Sequence, residues 1–143
     1  MGSGRILALD LGERRIGVAL SDPLRMLARP LTVIKRASRA EDFETIGQLV
    51  AQHEVTLLLC GYPLSLDGSE GPQGRRARRY AEALAEALAV PLALWDESYS
   101  TVEAESMMQY SHKQLSPQER RNWVDAVAAA VILQSYLDAQ APL

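Results

Sequence analysis

Residues 5–21, RILALDLGERRIGVALS, decide how the chain is read. Residues 5–11 form an apolar run of strand composition, Gly12 to Arg15 make a turn, and residues 16–21 form a second apolar run, so the stretch reads as a hairpin. One residue stands out in it, the acid Asp10. An ionised carboxylate in an apolar strand is costly to bury unless cations or hydrogen-bond donors compensate it, which makes Asp10 the first functional candidate.

Working outward, Asp22-Pro23 marks a turn and residues 31–34, after Pro30, make a third short strand, giving an antiparallel meander. Ser38 with Glu41 is a capping box and starts a helix that runs to about residue 53, with Phe43, Ile46, Leu49 and Val50 inward. Residues 55–60, VTLLLC, lack polar alternation and read as a strand covered on both faces. Gly61-Tyr62-Pro63 opens a Gly-rich loop to about residue 74. A helix over about 75–89 follows, with Tyr80, Leu84 and Leu88 inward, and then a strand at 92–95 that ends in Asp96-Glu97. Ser100 with Glu103 predicts a helix over 101–110, and Ser116-Pro117-Gln118-Glu119 caps a last helix to about residue 140. A meander followed by alternating helices and strands implies an α/β domain with a mixed sheet.

At 143 residues the chain suits one domain over 1–143, with residues 1–4 given no structural weight. Its 48% hydrophobic and 23% charged residues exclude wholesale disorder and a fibrous architecture. A net charge of -3 does not advertise a nucleic-acid binder, although local Arg and Lys clusters can still make a basic surface. Cys60 is alone, so it supports neither an internal disulfide nor a Cys-based metal site. It reads as a buried structural thiol and suits a reducing cytoplasm. Neither a signal peptide nor a bilayer-spanning segment is expected.

Two more acids are out of place. Asp125 sits among Trp123, Val124, Ala126, Val127 and three further alanines on the last helix, a small-residue face that permits close approach to another element. It either reaches the sheet or pairs with Arg121 one turn back. Asp96 and Glu97 end a strand, where open α/β sheets place their sites, and alternation alone does not choose between them. Asp10, one of Asp96 and Glu97, and Asp125 together make a hard-oxygen set suited to Mg²⁺ or Mn²⁺.

The combination of LALDLGERRIGVALSD, GYPLSLDGSEGP, WDESYSTVEA and DAVAAAVILQSYL, in that order and over nearly the whole chain, resembles the YqgF/RuvX family of bacterial Holliday junction resolvases and pre-16S rRNA nucleases. The resemblance implies an RNase H-like fold, a five-stranded mixed sheet of order 3-2-1-4-5 with helices on both faces. It also implies that Asp10, Glu97 and Asp125 are the active-site acids and metal ligands, with Asp96 in support. The chain departs from it at Ser98, where many members carry Arg, followed by Tyr99.

The activity implied is metal-dependent phosphodiester hydrolysis with two Mg²⁺ or Mn²⁺ ions about 4 Å apart, one activating water and one stabilising the leaving oxygen. Its substrate is structured RNA or branched DNA. The 5′ end of pre-16S rRNA comes first, and a four-way junction is the alternative, which needs two coordinated sites in a homodimer. Arg14 and Arg15 stand close to the scissile phosphate in this reading. Arg75, Arg76, Arg78 and Arg79 follow the Gly-rich loop as a backbone-binding cluster, and Lys113 with His112 completes the rim. Two other classes fit less well. A non-catalytic binding module gains nothing from three acids, and an actin or sugar-kinase type needs a second domain.

Overall fold

The computed structural model describes residues 3–65, 67–97 and 116–141. Its elements in chain order are β1 (Arg5–Leu11), β2 (Arg15–Ser21), β3 (Ala28–Lys35), α1 (Arg39–Gln52), β4 (Val55–Tyr62), α2 (Pro72–Leu88), β5 (Leu92–Asp96) and α3 (Pro117–Gln140). The sheet has the order β3-β2-β1-β4-β5. The β1 to β3 meander is antiparallel, and β1-β4 and β4-β5 are parallel, so the sheet is mixed as expected.

Strand alternation sorts the core into two layers. Leu7 and Leu9 of β1 pack with Ile46 of α1 and Tyr80 and Leu84 of α2. Ile6 and Ala8 face the other way, onto Ala129, Ile132, Leu133 and Leu137 of α3. With both faces covered, β1 is apolar from Ile6 to Leu9, and Asp10 continues the Ile6-Ala8 series onto the α3 side at the carboxyl end of the strand.

The caps predicted from sequence form as read. Ser38 Oγ accepts from the Glu41 N–H at 3.1 Å, and Ser116 Oγ accepts from the Glu119 N–H at 3.1 Å. Helix α2 starts earlier than its basic cluster suggests, at Pro72, because proline fits the first helical turn and Gly71 supplies an extended cap. It ends at Leu88, with Ala89 in the left-handed region at φ 55°, two residues ahead of Pro91. Strands β3 and β4 are longer than read, since ladder pairing carries them to Ala28 and Tyr62. The capping pair Ser100-Glu103 and the helix expected over 101–110 lie outside the described residues.

Ser3 and Gly4, given no weight in the sequence, have partners. The Gly4 N–H donates to the Pro23 carbonyl at 3.1 Å, and Arg25 donates to the Gly4 and Ser3 carbonyls. Asp42 is a buried acid that the sequence pattern does not announce. It is 3% exposed and is satisfied by the Ala37 N–H at 3.0 Å and the Tyr80 hydroxyl at 3.4 Å, with Arg36 3.8 Å away. Burial pushes the Cys60 thiol up to about 12, as befits an inert structural thiol. Among the described residues no helix is long and apolar enough to cross a membrane.

Candidate active site

Asp10 is flanked in the sheet by two glycines, Gly17 on β2 and Gly61 on β4. A glycine inside a strand marks a place where something else approaches closely, and each of these admits one of the other two acids. A Cβ on Gly17 would run into the backbone carbonyl of Asp125, so α3 lies directly on β2 at that point. A Cβ on Gly61 would sit 2.7 Å from Ile132 Cδ1, 3.2 Å from Glu97 Cβ and 3.3 Å from Glu97 Oε2. Gly17 is not among the residues that sequence reasoning marked, and Gly61, read there as the opening of the loop after residue 60, belongs instead to β4.

The choice between Asp96 and Glu97 is made by packing. Ala93 and Trp95 belong to the α3 layer, so alternation carries Glu97 onto the same face, while Asp96 is exposed. The Glu97 N–H donates to the Tyr62 carbonyl at 3.2 Å, extending the β4-β5 ladder by one residue and fixing where the side chain starts.

Asp10 and Glu97 are hydrogen-bonded through their side chains. Burial, and then the charge and hydrogen bond of Asp10, push the Glu97 carboxyl up to about 8. Burial also raises Asp10, and the charge of Asp125 adds to it, while the hydrogen bond with Glu97 pulls the other way. Two carboxyls this close do not both ionise readily, so the pair shares one proton, with Glu97 as donor and Asp10 as acceptor.

Asp125 reaches the sheet. Arg15 Nε donates to Asp125 Oδ2 at 2.6 Å, and this contact between residues 110 apart replaces the pairing with Arg121 that helix spacing allowed. Arg15, Gly17 and Ala19 share one face of β2, which directs the Arg15 side chain toward α3. Among the described residues no three His, Cys, Asp or Glu side chains close around a metal position: Asp10 and Glu97 meet, while Asp125 faces Arg15.

The predicted cations divide. Arg14 is exposed on the β1-β2 turn. Arg75, Arg76 and Arg79 are exposed near the start of α2. That start is seated at the carboxyl end of β4, where a Cβ on Gly74 would lie 2.5 Å from the Pro63 carbonyl oxygen. Arg78 is committed elsewhere. It donates to Glu70 at 2.7 and 3.0 Å and to Glu82 at 2.9 Å, clamping the loop before α2 and holding the Glu70 carboxyl below its ordinary range. Lys113, His112, Ser98 and Tyr99 lie outside the described residues.

The sequence matches the RuvX family, described as Holliday junction resolvase, over residues 4–139. The chain belongs to the RuvX family. This RuvX chain is 43% identical over 136 residues, 95% of its length and 97% of the other's, to a protein of Thermoanaerobacter pseudethanolicus named provisionally as a pre-16S rRNA nuclease. A protein of Anaeromyxobacter sp. (strain Fw109-5) with the same provisional name is 48% identical, with 94% of this chain and 96% of that one covered. In structure, the chain resembles the fowlpox virus resolvase solved with Holliday junction DNA, at a TM-score of 0.60 and 8% identity over 96% of this chain and 99% of that one. It also resembles Thermus thermophilus RuvC in complex with a Holliday junction, at a TM-score of 0.58 and 12% identity over 96% and 95%. The fold is RNase H-like, the sheet order included.

Proposed function

We infer that this RuvX protein is a metal-dependent nuclease that hydrolyses phosphodiester bonds in structured nucleic acid, with the 5′ end of pre-16S rRNA as its substrate. The observation that supports this reading is the contact of Asp10 with Glu97 at the carboxyl end of the sheet, beside two strand glycines, with Asp125 of α3 near enough for its charge to act on Asp10. The provisional names of the relatives point the same way.

The donor set suits Mg²⁺ or Mn²⁺: three hard oxygen ligands, two of which press against each other strongly enough to share a proton. Asp10, Glu97 and Asp125 would hold the metal, with Asp96 in support. When bound, it supplies an activated water and charge stabilisation for the leaving oxygen. With an ion bound, Glu97 would be ionised, because a coordinating carboxylate is ionised. Arg15 competes with the ion for Asp125 and keeps that carboxylate oriented, and its half-exposed guanidinium also offers N–H groups to a phosphate. Arg14, Arg75, Arg76, Arg79 and Lys113 hold the nucleic-acid backbone. With rRNA as substrate, one RNase H-like domain works in the cytoplasm.

The family description favours a second reading, cleavage of a four-way DNA junction by a homodimer. The test incubates the protein with Mg²⁺ or Mn²⁺ and, separately, a precursor rRNA fragment and a four-way junction, beside Asp10→Asn and Asp125→Asn. Cleavage of the rRNA fragment by the parent alone is expected. Cleavage of the junction instead selects the second reading, and cleavage of neither overturns both. Equal cleavage by parent and variants overturns the site.

A further inference from the structure

One stripe of α3 faces β3. Near its end Gln134 Oε1 accepts from the Ala28 N–H at 2.9 Å and ties the helix to the first residue of β3. Three helical turns earlier on the same stripe stands Trp123, over the other end of β3. There the helix and strand part. The gap is a cleft of about 1260 Å³, lined by Trp123, Leu31 and Val33 and by the cations Arg14, Arg15 and Lys35.

The cleft adjoins Asp125, because Arg15 lines it and also donates to that carboxylate. In register, Arg15 pairs with Lys35 and Gly17 with Val33, so this row of the α3 face leads from the acids outward to the edge strand. The described lining carries Arg14, Arg15, Lys35 and Arg36 against Glu13 and Glu119, a surplus of two positive charges on a chain whose net charge is -3. Arg15 is engaged by Asp125, and Arg36 by the Gly12 carbonyl and Asp42. Arg14 and Lys35 are exposed and have no side-chain partner among the described residues. At this size the cleft exceeds ordinary small-ligand pockets of about 300–1,000 Å³. An indole wall with uncommitted cations beside it matches an unpaired strand, in which a base stacks on the ring and phosphates meet the cations.

We propose that the cleft between α3 and β3 binds the single-stranded segment of nucleic acid next to the cut, one base stacked on Trp123 and its phosphates on Arg14 and Lys35. This rests on the nuclease reading only for where the cut falls. The cleft therefore selects substrates that are unpaired on that side of the scissile bond. Duplex bases are already stacked on each other and present no free face to the ring.

The test uses Trp123 as its own reporter. In a Trp95→Phe background Trp123 is the one remaining tryptophan, and its fluorescence is followed on titration with oligo-rU, with oligo-dT and with a duplex. Saturable quenching by either single strand, and none by the duplex, is expected. Trp123→Ala, with binding followed by anisotropy of a labelled oligonucleotide, should bind about tenfold or more weakly. Lys35→Ala should lower the slope of log affinity against log salt by about 0.7. Absence of quenching, equal quenching by the duplex, or unchanged affinity in Trp123→Ala overturns the proposal. If Trp123→Ala fails to fold, the exposed Lys35→Ala serves in its place, and an unchanged salt slope in that variant overturns the proposal. Asp10→Asn should keep the quenching while cleavage is lost. Cleavage by the parent without quenching overturns the cleft alone, and quenching without cleavage supports the cleft and overturns the nuclease reading alone.

Discussion

Substituting Gly17 by alanine tests the geometry of the site more directly than removing an acid. The backbone of Gly17 is not in the left-handed region, so alanine's own conformational preferences do not oppose the change, and a less flexible unfolded chain favours it by about 0.4–1 kcal/mol. The obstacle is the new methyl group, which meets the main-chain carbonyl of Asp125 and the Ala126 nitrogen 3.1 Å away. Overpacking a core costs about 1–3 kcal/mol when side chains can give way, and here only the helix backbone can move, so the upper end applies. The net loss is about 2 kcal/mol or more, a fall of about 5–10 °C in Tm for a chain of this size. The helix that shifts carries Asp125, and misplacement by about 1 Å costs on the order of 10²-fold in rate.

Gly61→Ala is the control. Its methyl group meets the mobile end of Ile132 at 2.7 Å and Glu97 Cβ at 3.2 Å, and should cost less than about 1 kcal/mol. Urea unfolding and Mn²⁺-dependent cleavage measured on both variants decide the matter. If Gly17→Ala is as stable as the parent, or Gly61→Ala is the less stable of the two variants, the close docking of α3 on β2 is refuted.

Three further outcomes follow from the hydrogen bonds and charges. In EDTA, the stability that the raised Glu97 pKa contributes should be fully present below its ordinary 4.5 and be lost as pH climbs through about 8, with Asp10 adding in the same direction. Urea midpoints across that window should fall in the parent and flatten in Glu97→Gln, and an unchanged slope in that variant would count against the shared proton. Asp42→Ala strands the Ala37 N–H, the Tyr80 hydroxyl and Arg36, and should cost about 2–4 kcal/mol by chemical denaturation, whereas a neutral result would mean water satisfies these groups. Arg15→Gln removes a charge-assisted bond between two partly exposed groups. About 1 kcal/mol or less of stability should go with it, while cleavage suffers more than folding. Loss of stability without loss of rate would confine Arg15 to a structural role.

What was legible in the sequence was local. The Asp10 anomaly, the Ser38 and Ser116 caps and the apolar strands each declare themselves within a few residues, where periodicity and capping chemistry operate. The site depended on contacts that spacing does not encode. Glu97 rather than Asp96 faces α3 only because Ala93 and Trp95 pack, partly buried, against that helix, and which face of a strand is covered is a tertiary fact. Arg121, one turn from Asp125, was a local partner on offer and lost to Arg15, which comes from the first hairpin. Arg78 reads as one more cation in a cluster until Glu70 and Glu82 claim it. Gly17 and Gly61 are the readable clue that strand composition alone conceals. A glycine in an apolar strand is a request for space, and each sits beside Asp10 in the sheet.

The docking of α3 on Gly17 also sets a timetable. On the ribosome the strand bearing Asp10 is made first and Glu97 later, but Asp125 arrives only with the last helix. At about 5–20 residues per second the growing chain spends about one to six seconds with two acids and no third. Under the three-acid reading, cutting power is withheld from the nascent chain, and a translation product truncated before Pro117 would be disarmed by the same order of synthesis.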